Sequence, residues 1–388
     1  MGDLLSGLGS QATTLAMPLL VLYLTGSAAD AGLAGFARGL GWPLASLPGG
    51  VVADRVDRRA LLIACALVRA LAMGSVVVAL ALGRPPLFQL LIVAFVDAAL
   101  SSVALTAERG LLPEVVDEHE LPDAVAANEA RLSLAVIGGP PLGGALYAIA
   151  RSLPFLADAL SFFAAALAAV AIRIRPAAPP RERTPAVAAV REGIAWLWSH
   201  PFLRDGALFY AAANLTLSAI ELLGILIARH HGASAAAIGI ALAILGAGGV
   251  ISTVIAGPLR RRMAARWAVL AEAYVAVPCV VALLACRSAL AVGVVLGVQV
   301  LPVAVSSTVV VGERLTASPE HLRGRIQASA SLISGAIGWA GPLAVGVLFQ
   351  AAGETAAVLT LATWTALVAG AGTLSRGFRM APAATRPG

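Results

Sequence analysis

Four charged residues that interrupt long apolar runs are the side chains of this chain most able to do chemistry. Asp97 and Glu221 supply carboxyl groups, and Arg38 and Arg69 supply guanidinium groups. If such a run crosses a bilayer, a charge near its centre costs at least about 2.5–3.5 kcal/mol, so the side chain faces a partner or a water-filled cavity. Burial also disfavours the charged form of a carboxyl group. The two acids are therefore candidates for proton exchange, and the two arginines are candidates for neutralising a carboxylate or holding an anionic substrate.

The same residues have a plainer interpretation as structural ion pairs or hydrated surface positions. Asp158, Glu129 and Arg131 lie close to the ends of their apolar runs, where a charged side chain reaches water at little cost, and we expect structural roles for them. A few hydroxyl and amide side chains can offer hydrogen bonds to a cavity, namely Gln11, Thr13, Thr14, Asn214 and Gln299. An otherwise apolar cavity with few polar groups suits a bulky amphiphilic ligand. A sugar-binding site would be expected to show more polar and aromatic residues, and only 5% of this chain is aromatic.

The composition indicates a protein that crosses a membrane many times. Of the 388 residues, 59% are hydrophobic and 12% are charged, whereas a soluble domain has about 25% charged residues. All 27 basic residues are arginines, which excludes an ATP-binding P-loop and a Schiff-base lysine. The five histidines show no metal-ligand spacing. We expect no enzyme activity, no metal and no cofactor, and we attribute the net charge of +6 to anionic lipid rather than nucleic acid.

Twelve membrane spans are predicted by dividing the apolar runs at charges, prolines and turn residues, since a helix needs roughly 20 residues to cross the hydrocarbon core. The first six spans lie near residues 4–24, 30–53, 60–82, 87–106, 126–150 and 154–173. The second six lie near residues 205–228, 235–258, 267–286, 288–311, 326–350 and 355–374. The pattern predicts an all-α membrane protein with two pseudo-symmetric six-helix bundles. The predicted parts are the bundles at 1–173 and 205–375, a cytoplasmic linker with an interfacial helix at 174–204, and a tail at 376–388.

The arginines are distributed unevenly between the two sides of the predicted membrane. Twenty of the 27 lie in the loops, linker and tail on the side of both termini, four lie in turns on the other side, and three lie within spans. Cytoplasmic loops are enriched in basic residues. We therefore expect a multi-pass protein of a bacterial cytoplasmic membrane with both termini in the cytoplasm. The first span begins almost at Met1 without a short basic lead, which favours a true start further upstream.

A charged hairpin separates the second and third spans, with the pattern Gly50-x-x-Ala53-Asp54-Arg55-x-x-Arg58-Arg59. It resembles the loop between the second and third helices of the major facilitator superfamily. The resemblance implies a transporter that works by rocking its two halves. It also implies that Asp54 is a gate latch at the start of span 11, with Arg55, Arg58 and Arg59 as its basic partners. The alternative is that the arginines set the orientation, although orientation alone does not require Asp54 or Gly50.

Span 5 contains a segment of small residues and prolines, Gly139-Pro140-Pro141-Leu142-Gly143-Gly144. Small residues let membrane helices approach closely and proline bends a helix, so one interpretation is a packing contact with a kink. The segment also resembles the Gly-Pro-x-x-Gly-Gly element of superfamily exporters, particularly proton antiporters, although Ala135 replaces a glycine of that element. This resemblance implies export. Gly341-Pro342-Leu343 in span 11 repeats part of the segment, which matches two parallel halves with the substrate bound between them.

Further segments resemble one branch of the superfamily, which contains enterobactin-type siderophore exporters and macrolide efflux proteins. They are Leu112-Pro113-Glu114, Ala157-Asp158-Ala159-Leu160-Ser161-Phe162, Arg191-Glu192-Gly193 and Ser318-Pro319-Glu320-His321-Leu322-Arg323-Gly324-Arg325. The resemblance covers the chain from about Leu8 onward. It implies a secondary exporter of small hydrophobic or amphiphilic molecules that uses proton antiport and functions as a monomer. Two alternatives stay open, a membrane subunit energised by a separate ATPase and a non-transporting membrane sensor.

Overall fold

The computed structural model describes residues 2–83, 85–116, 119–171 and 186–380, which contain helices and turns and no β-strand. The helices of the first half are α1 (Gly2–Thr25), α2 (Ala28–Arg55), α3 (Arg58–Ala81), α4 (Leu87–Val115), α5 (Leu121–Ile149) and α6 (Leu153–Val170). Those of the second half are α7 (Ala186–Trp198), α8 (Pro201–His230), α9 (Ala235–Arg262), α10 (Ala265–Ala282), α11 (Ala289–Gln299), α12 (Val303–Ala317), α13 (Arg323–Gly335), α14 (Ala340–Leu374) and α15 (Arg376–Arg379). The predicted all-α class is confirmed.

Ten segments of the described residues are long and apolar enough to cross a membrane. The longest of them, Glu320–Leu374, contains α13 and α14. It covers the two predicted spans 326–350 and 355–374. Helix α2 has 28 residues, which is long enough, but it lies outside the ten because its glycines and charged residues lower its hydropathy. The helices agree with a multi-pass membrane protein of about twelve spans.

The tenth predicted span, 288–311, falls on the membrane-length segment Ala289–Ala317, which a break divides into α11 and α12. Pro302 causes the break, because proline has no backbone N–H and its ring clashes with the preceding turn. Ser252 of α9 satisfies the backbone groups that the break releases. Its Oγ donates to the carbonyl oxygen of Leu301 at 2.7 Å and accepts from the N–H of Ala304 at 3.0 Å. Inside a membrane such groups need a partner of this kind.

The last two predicted spans are separated by a glycine turn within α14. Gly353 has a φ of 81°, a backbone conformation that glycine adopts without strain. The predicted boundary between residues 350 and 355 therefore falls at the observed turn.

The chain forms two compact units. Unit 1 comprises Met1–Arg183 and Ala233–Ala243, and unit 2 comprises Thr184–Gly232 and Ile244–Gly388. In unit 1, α2 packs against α4, α1 against α5, and α3 against α6. In unit 2, α8 packs against α13 and α14, and α10 packs against α12 and α14. The predicted domain limits stay predictions.

Glycines of the exporter-like segment form the contact between α5 and α1. A Cβ atom on Gly139 would lie 2.3 Å from the Cβ of Gln11, and one on Gly143 would lie 2.6 Å from the carbonyl oxygen of Ala12. Both distances are well inside van der Waals contact, so the two helices touch along their backbones. In unit 2, a Cβ on Gly341 would lie 2.4 Å from a carbonyl oxygen of α8, so the repeated segment makes a similar close contact there.

The other half of the segment contacts the part of α9 that belongs to unit 1. A Cβ on Gly144 would lie 2.4 Å from the carbonyl oxygen of Ala235, and one on Gly239 would lie 2.5 Å from the carbonyl oxygen of Pro140. Close packing therefore explains the small residues by itself. The implied link to export stays a prediction.

We predict that Gly143→Ala destabilises the protein by about 1–3 kcal/mol, because the added methyl group overpacks a closed backbone contact. Gly74→Ala in α3 is the matched control, since a Cβ there meets no heavy atom within 4 Å. Thermal unfolding of the purified proteins in detergent measures both effects. Equal melting temperatures for the two variants would contradict this explanation of the segment.

Candidate functional site

A buried carboxylate in α4 is held by two arginines from neighbouring helices. Asp97 is 1% exposed. Its Oδ1 accepts a hydrogen bond from Nε of Arg69 in α3 at 2.8 Å, and its Oδ2 accepts one from Nη1 of Arg38 in α2 at 3.0 Å. Hydrogen bonds between oppositely charged groups are roughly twice as strong as neutral ones. These three residues, which we call the charge cluster, bring two positive charges to one negative charge.

Arg69 connects the charge cluster to α1 and α6. Its Nη2 donates to the Oγ of Ser10 in α1 at 3.2 Å. Its guanidinium carbon lies 3.9 Å from the centroid of the Phe162 ring in α6, where the negative face of the ring attracts a cation. The side chain of Arg69 therefore joins its own helix to three others.

A second carboxyl group, that of Asp158 in α6, lies where the charges of Arg69 and Asp97 both act on it. Asp158 is completely buried. Its Oδ2 lies 2.9 Å from the Oγ1 of Thr13, and its Oδ1 lies 3.4 Å from the Oγ of Ser161. Gly9 leaves the space for this carboxyl group, because a Cβ there would lie 2.5 Å from Oδ1.

The expectation that Asp158 reaches water from a span end is wrong. Asp158 is the sixth residue of α6, and α1 and α3 both pack against that helix. A signal for this arrangement is present in the sequence of α1. Gly9 and Thr13 are four residues apart and share one face of the helix, and a small residue beside a hydroxyl suits a buried polar partner.

Glu221 lies in α8 of unit 2 and is half-buried, so it does not belong to the same unit as Asp97. Unit 2 also contains a more deeply buried acid, Glu272 in α10, which is 5% exposed. In the same unit, the hydroxyl group of Tyr210 lies 2.6 Å from that of Ser306. Glu272 is not among the proton-coupling or substrate residues predicted from the sequence.

Two arginines of the charged hairpin bind the backbone of other helices in unit 1. Nη1 of Arg58 donates to the carbonyl oxygen of Gly110 in α4 at 2.9 Å. Nε of Arg59 donates to the carbonyl oxygen of Ala169 at 3.0 Å, and its Nη2 donates to that of Val170. The last carbonyl groups of a helix have no partner within it, so Arg59 caps the end of α6.

The remaining residues of the charged hairpin have different environments. Asp57 caps the N-terminus of α3 with its carboxylate, and Arg55 is exposed. The side chain of Asp54 lies outside the described part of the structure. A Cβ on Gly50 would meet no described heavy atom within 4 Å, whereas one on Gly49 would lie 2.7 Å from a side chain of α4. The glycine required for close packing is therefore Gly49, and the gate latch stays a prediction.

Unit 1 contains a cavity of about 670 Å³ that is lined by residues of all six helices from α1 to α6. Arg69, Ser10 and Phe162 line one part of it. Glu108 and Arg131, which form an ion pair at 2.6 Å, line another. The rest of the wall is mostly small or apolar and includes Leu62, Ala66, Ala104, Leu105, Leu132 and Ala165. The volume lies within the range of about 300–1,000 Å³ that is typical of small-molecule sites.

The sequence profile of the Major Facilitator Superfamily matches residues 2–342. The chain belongs to the Major Facilitator Superfamily. It is therefore a membrane transporter and not an enzyme, and the predicted major facilitator fold with its two six-helix bundles is confirmed.

Two relatives within the superfamily show the extent of the similarity. The uncharacterized MFS-type transporter YfiS of Bacillus subtilis (strain 168) is 30% identical over 223 residues, which cover 55% of this chain and 51% of YfiS. The chain thus spans about half the length of that relative. The multidrug efflux pump Tap of Mycolicibacterium fortuitum is 28% identical over 372 residues, which cover 92% of this chain and 90% of Tap.

Solved structures of superfamily members share the fold at low sequence identity. The nucleoside transporter NupG aligns with a TM-score of 0.79 at 12% identity and covers 97% of this chain and 98% of its own. A bacterial homolog of the human lysosomal transporter Spinster, in an inward-facing conformation, aligns with a TM-score of 0.71 at 16% identity. The alignment covers 97% of this chain and 93% of the homolog. These similarities establish the fold alone.

We predict that Asp97→Asn destabilises this superfamily member by about 3–5 kcal/mol, because it leaves a buried guanidinium group without its counter-ion. Arg38→Gln is the matched comparison and should cost less, because the Arg38 side chain is 36% exposed and Arg69 still pairs with Asp97. Denaturation in a detergent series measures both. The prediction fails if Arg38→Gln is the more damaging substitution.

Proposed function

We propose that this transporter exports small hydrophobic or amphiphilic molecules across a bacterial cytoplasmic membrane in exchange for protons. Similarity to the multidrug efflux pump Tap over 92% of the chain supports export. The exporter-like segment at residues 139–144 supports the same direction. The observation that carries the proton part of the proposal is the charge cluster, because its charges lie within membrane-length helices, where they are costly.

The charge cluster can link protonation to helix packing. Arg38 and Arg69 are both held at Asp97, so the contacts among α2, α3 and α4 depend on the charge of this group. A change of one proton among the buried carboxyl groups changes which arginine contacts are favourable. Since a bound species shifts a conformational equilibrium by its differential affinity for the two states, a proton bound to a carboxyl group at or beside this cluster can bias the transporter toward one state.

The proposed cycle is alternating access. Protonation from outside favours the state that is open to the cytoplasm, and substrate binding with proton release favours the state that is open to the outside. The sequence candidates for the proton site are Asp97 and Glu221. The excess of arginine on the side of both termini supports their placement in the cytoplasm.

The cavity of unit 1 supports an amphiphilic substrate class. Its wall is mostly alanine and leucine, with a few polar groups from Ser10, Arg69 and the Glu108–Arg131 pair. A site of this type binds an apolar body and fixes its orientation through a small number of hydrogen bonds.

Everted membrane vesicles with a respiration-built pH gradient test the proposal. Antibiotics and siderophores are added in turn, with ATP synthesis inhibited. We predict that at least one compound collapses the gradient in vesicles that contain the protein and not in vesicles that lack it. Asp97→Asn should abolish this effect, because it disrupts the charge cluster. Asp123→Asn, which changes an exposed acid of α5, should leave it unchanged.

A dependence of uptake on ATP would contradict the proposal and favour a partner ATPase. ATP-independent uptake of a compound without any change in the pH gradient would support transport and contradict proton exchange.

A further inference from the structure

We propose that Asp158 carries the exchanged proton in unit 1 and that Arg69 is the counter-ion it gains when the proton leaves. The inference rests on the proposed proton antiport and names the residue that performs it. Neither Asp97 nor Glu221 has this role in the proposal.

The hydrogen bonds around Thr13 fit a protonated Asp158. The Thr13 hydroxyl has one proton to donate. Its Oγ1 lies 3.1 Å from the carbonyl oxygen of Ser10 and 3.2 Å from that of Gly9, which are the backbone acceptors that a helical threonine ordinarily uses. The contact of Oγ1 with Oδ2 of Asp158 is shorter, at 2.9 Å, so Thr13 donates its proton there. Oδ2 therefore receives one hydrogen bond, from a neutral hydroxyl group.

Ser161 provides still less for the other carboxyl oxygen. Its hydroxyl group lies 2.8 Å from the backbone carbonyl oxygen of Asp158 and 3.4 Å from Oδ1. The shorter contact uses the single hydroxyl proton, so Oδ1 receives at most a weak hydrogen bond. A buried carboxylate would need several good donors, whereas a neutral acid is satisfied by this arrangement.

Asp97 has the opposite environment. Both of its carboxyl oxygens accept hydrogen bonds from guanidinium groups, at 2.8 Å and 3.0 Å. A guanidinium group stays charged in proteins, and two of them stabilise the ionised form of their partner. Asp97 therefore already has two charged hydrogen-bond donors, whereas Asp158 has none among these contacts.

The charged groups that act on Asp158 are Arg69 and Asp97. Among the helices packed against α6, α3 contributes Arg69, and the described part of α1 contributes the hydroxyl of Thr13 and the neutral Gly9. Helix α5 has fewer contacts with α6, and its Arg131 is paired with Glu108.

Release of the proton therefore requires Arg69 to move. The O–H bond of Asp158 breaks, the proton passes to a water molecule, and the electron pair stays on the carboxylate. This buried anion then needs a cation. Arg69 can rotate toward it because Arg38 continues to neutralise Asp97. The cluster of two arginines and two aspartates is then electrically neutral, and the links that Arg69 makes to Ser10 and Phe162 change with it.

The cavity of unit 1 supplies a route for the proton. Ser10, Arg69 and Phe162 form part of the cavity wall. Ser10 and Phe162 also contact Arg69 directly. A rotation of Arg69 away from Asp97 therefore changes the wall between the cavity and Asp158, so proton release and cavity shape are coupled.

Infrared spectroscopy of the full-length protein tests the inference without a substrate. The carbonyl stretching band of a protonated carboxylic acid is recorded in a maltoside detergent, which has no carbonyl group of its own, during steps of rising and falling pH. We expect the difference between the wild-type protein and Asp158→Asn to show this band at neutral pH. The band should disappear as the pH rises and return as it falls, because the ionised form lacks it.

Two further variants control the assignment. Glu272→Gln removes the buried acid of unit 2 and should leave the Asp158 component unchanged. Thr13→Val removes the hydroxyl group that donates to Asp158 and should shift that component to a higher frequency, which also tests the inference if Asp158→Asn fails to fold.

The inference is overturned if the wild-type and Asp158→Asn spectra share the same acid band, if the band does not titrate, or if Thr13→Val leaves its frequency unchanged. These results do not depend on transport. A failure in the vesicle experiment together with a titrating Asp158 band would instead reject the proposed antiport and retain the proton site.

Discussion

The high cost of a charge inside a membrane protein is the constraint on which the rest of unit 1 depends. Arg69 meets this constraint with partners on three other helices, namely Asp97, Ser10 and Phe162. Each partner fixes the position of its helix relative to α3. The charge cluster is therefore a structural centre of the unit. A change of charge at or beside it alters several contacts between helices at once.

Backbone contact between helices makes this arrangement possible. In lipid there is little hydrophobic drive for helices to associate, so close packing of small residues has to hold them together. Gly139 and Gly143 let α5 touch α1, and Gly9 makes room for the carboxyl group of Asp158. The same helix α1 thus carries a close-packed surface and the hydroxyl group of Thr13 that contacts Asp158. A change in Arg69 partners would be transmitted through these tight contacts.

The sequence predicts the helices well because long apolar runs and arginine-rich loops have direct physical causes. It also selects Arg38, Arg69, Asp97 and Glu221 as candidate intramembrane charges, since charges in apolar runs are rare, and the structure brings the first three together. It does not reveal that Asp158 is buried, because burial depends on which helices pack against α6. For a similar reason Gly49 and Gly50 are indistinguishable in sequence, and the structure shows that Gly49 is the one that faces α4. Pro302 is visible in the sequence, but a proline alone does not show whether a helix bends or breaks.

The central claim is that the two buried aspartates of unit 1 have different charge states, with Asp97 ionised and Asp158 protonated. The carboxyl-carbon chemical shifts of isotope-labelled aspartate, measured at neutral pH in detergent and assigned with conservative Asn substitutions, report these states separately. The account predicts one shift in the range of ionised carboxylates, assigned to Asp97, and one in the range of neutral acids, assigned to Asp158. Two shifts in the ionised range, or the reverse assignment, would contradict it.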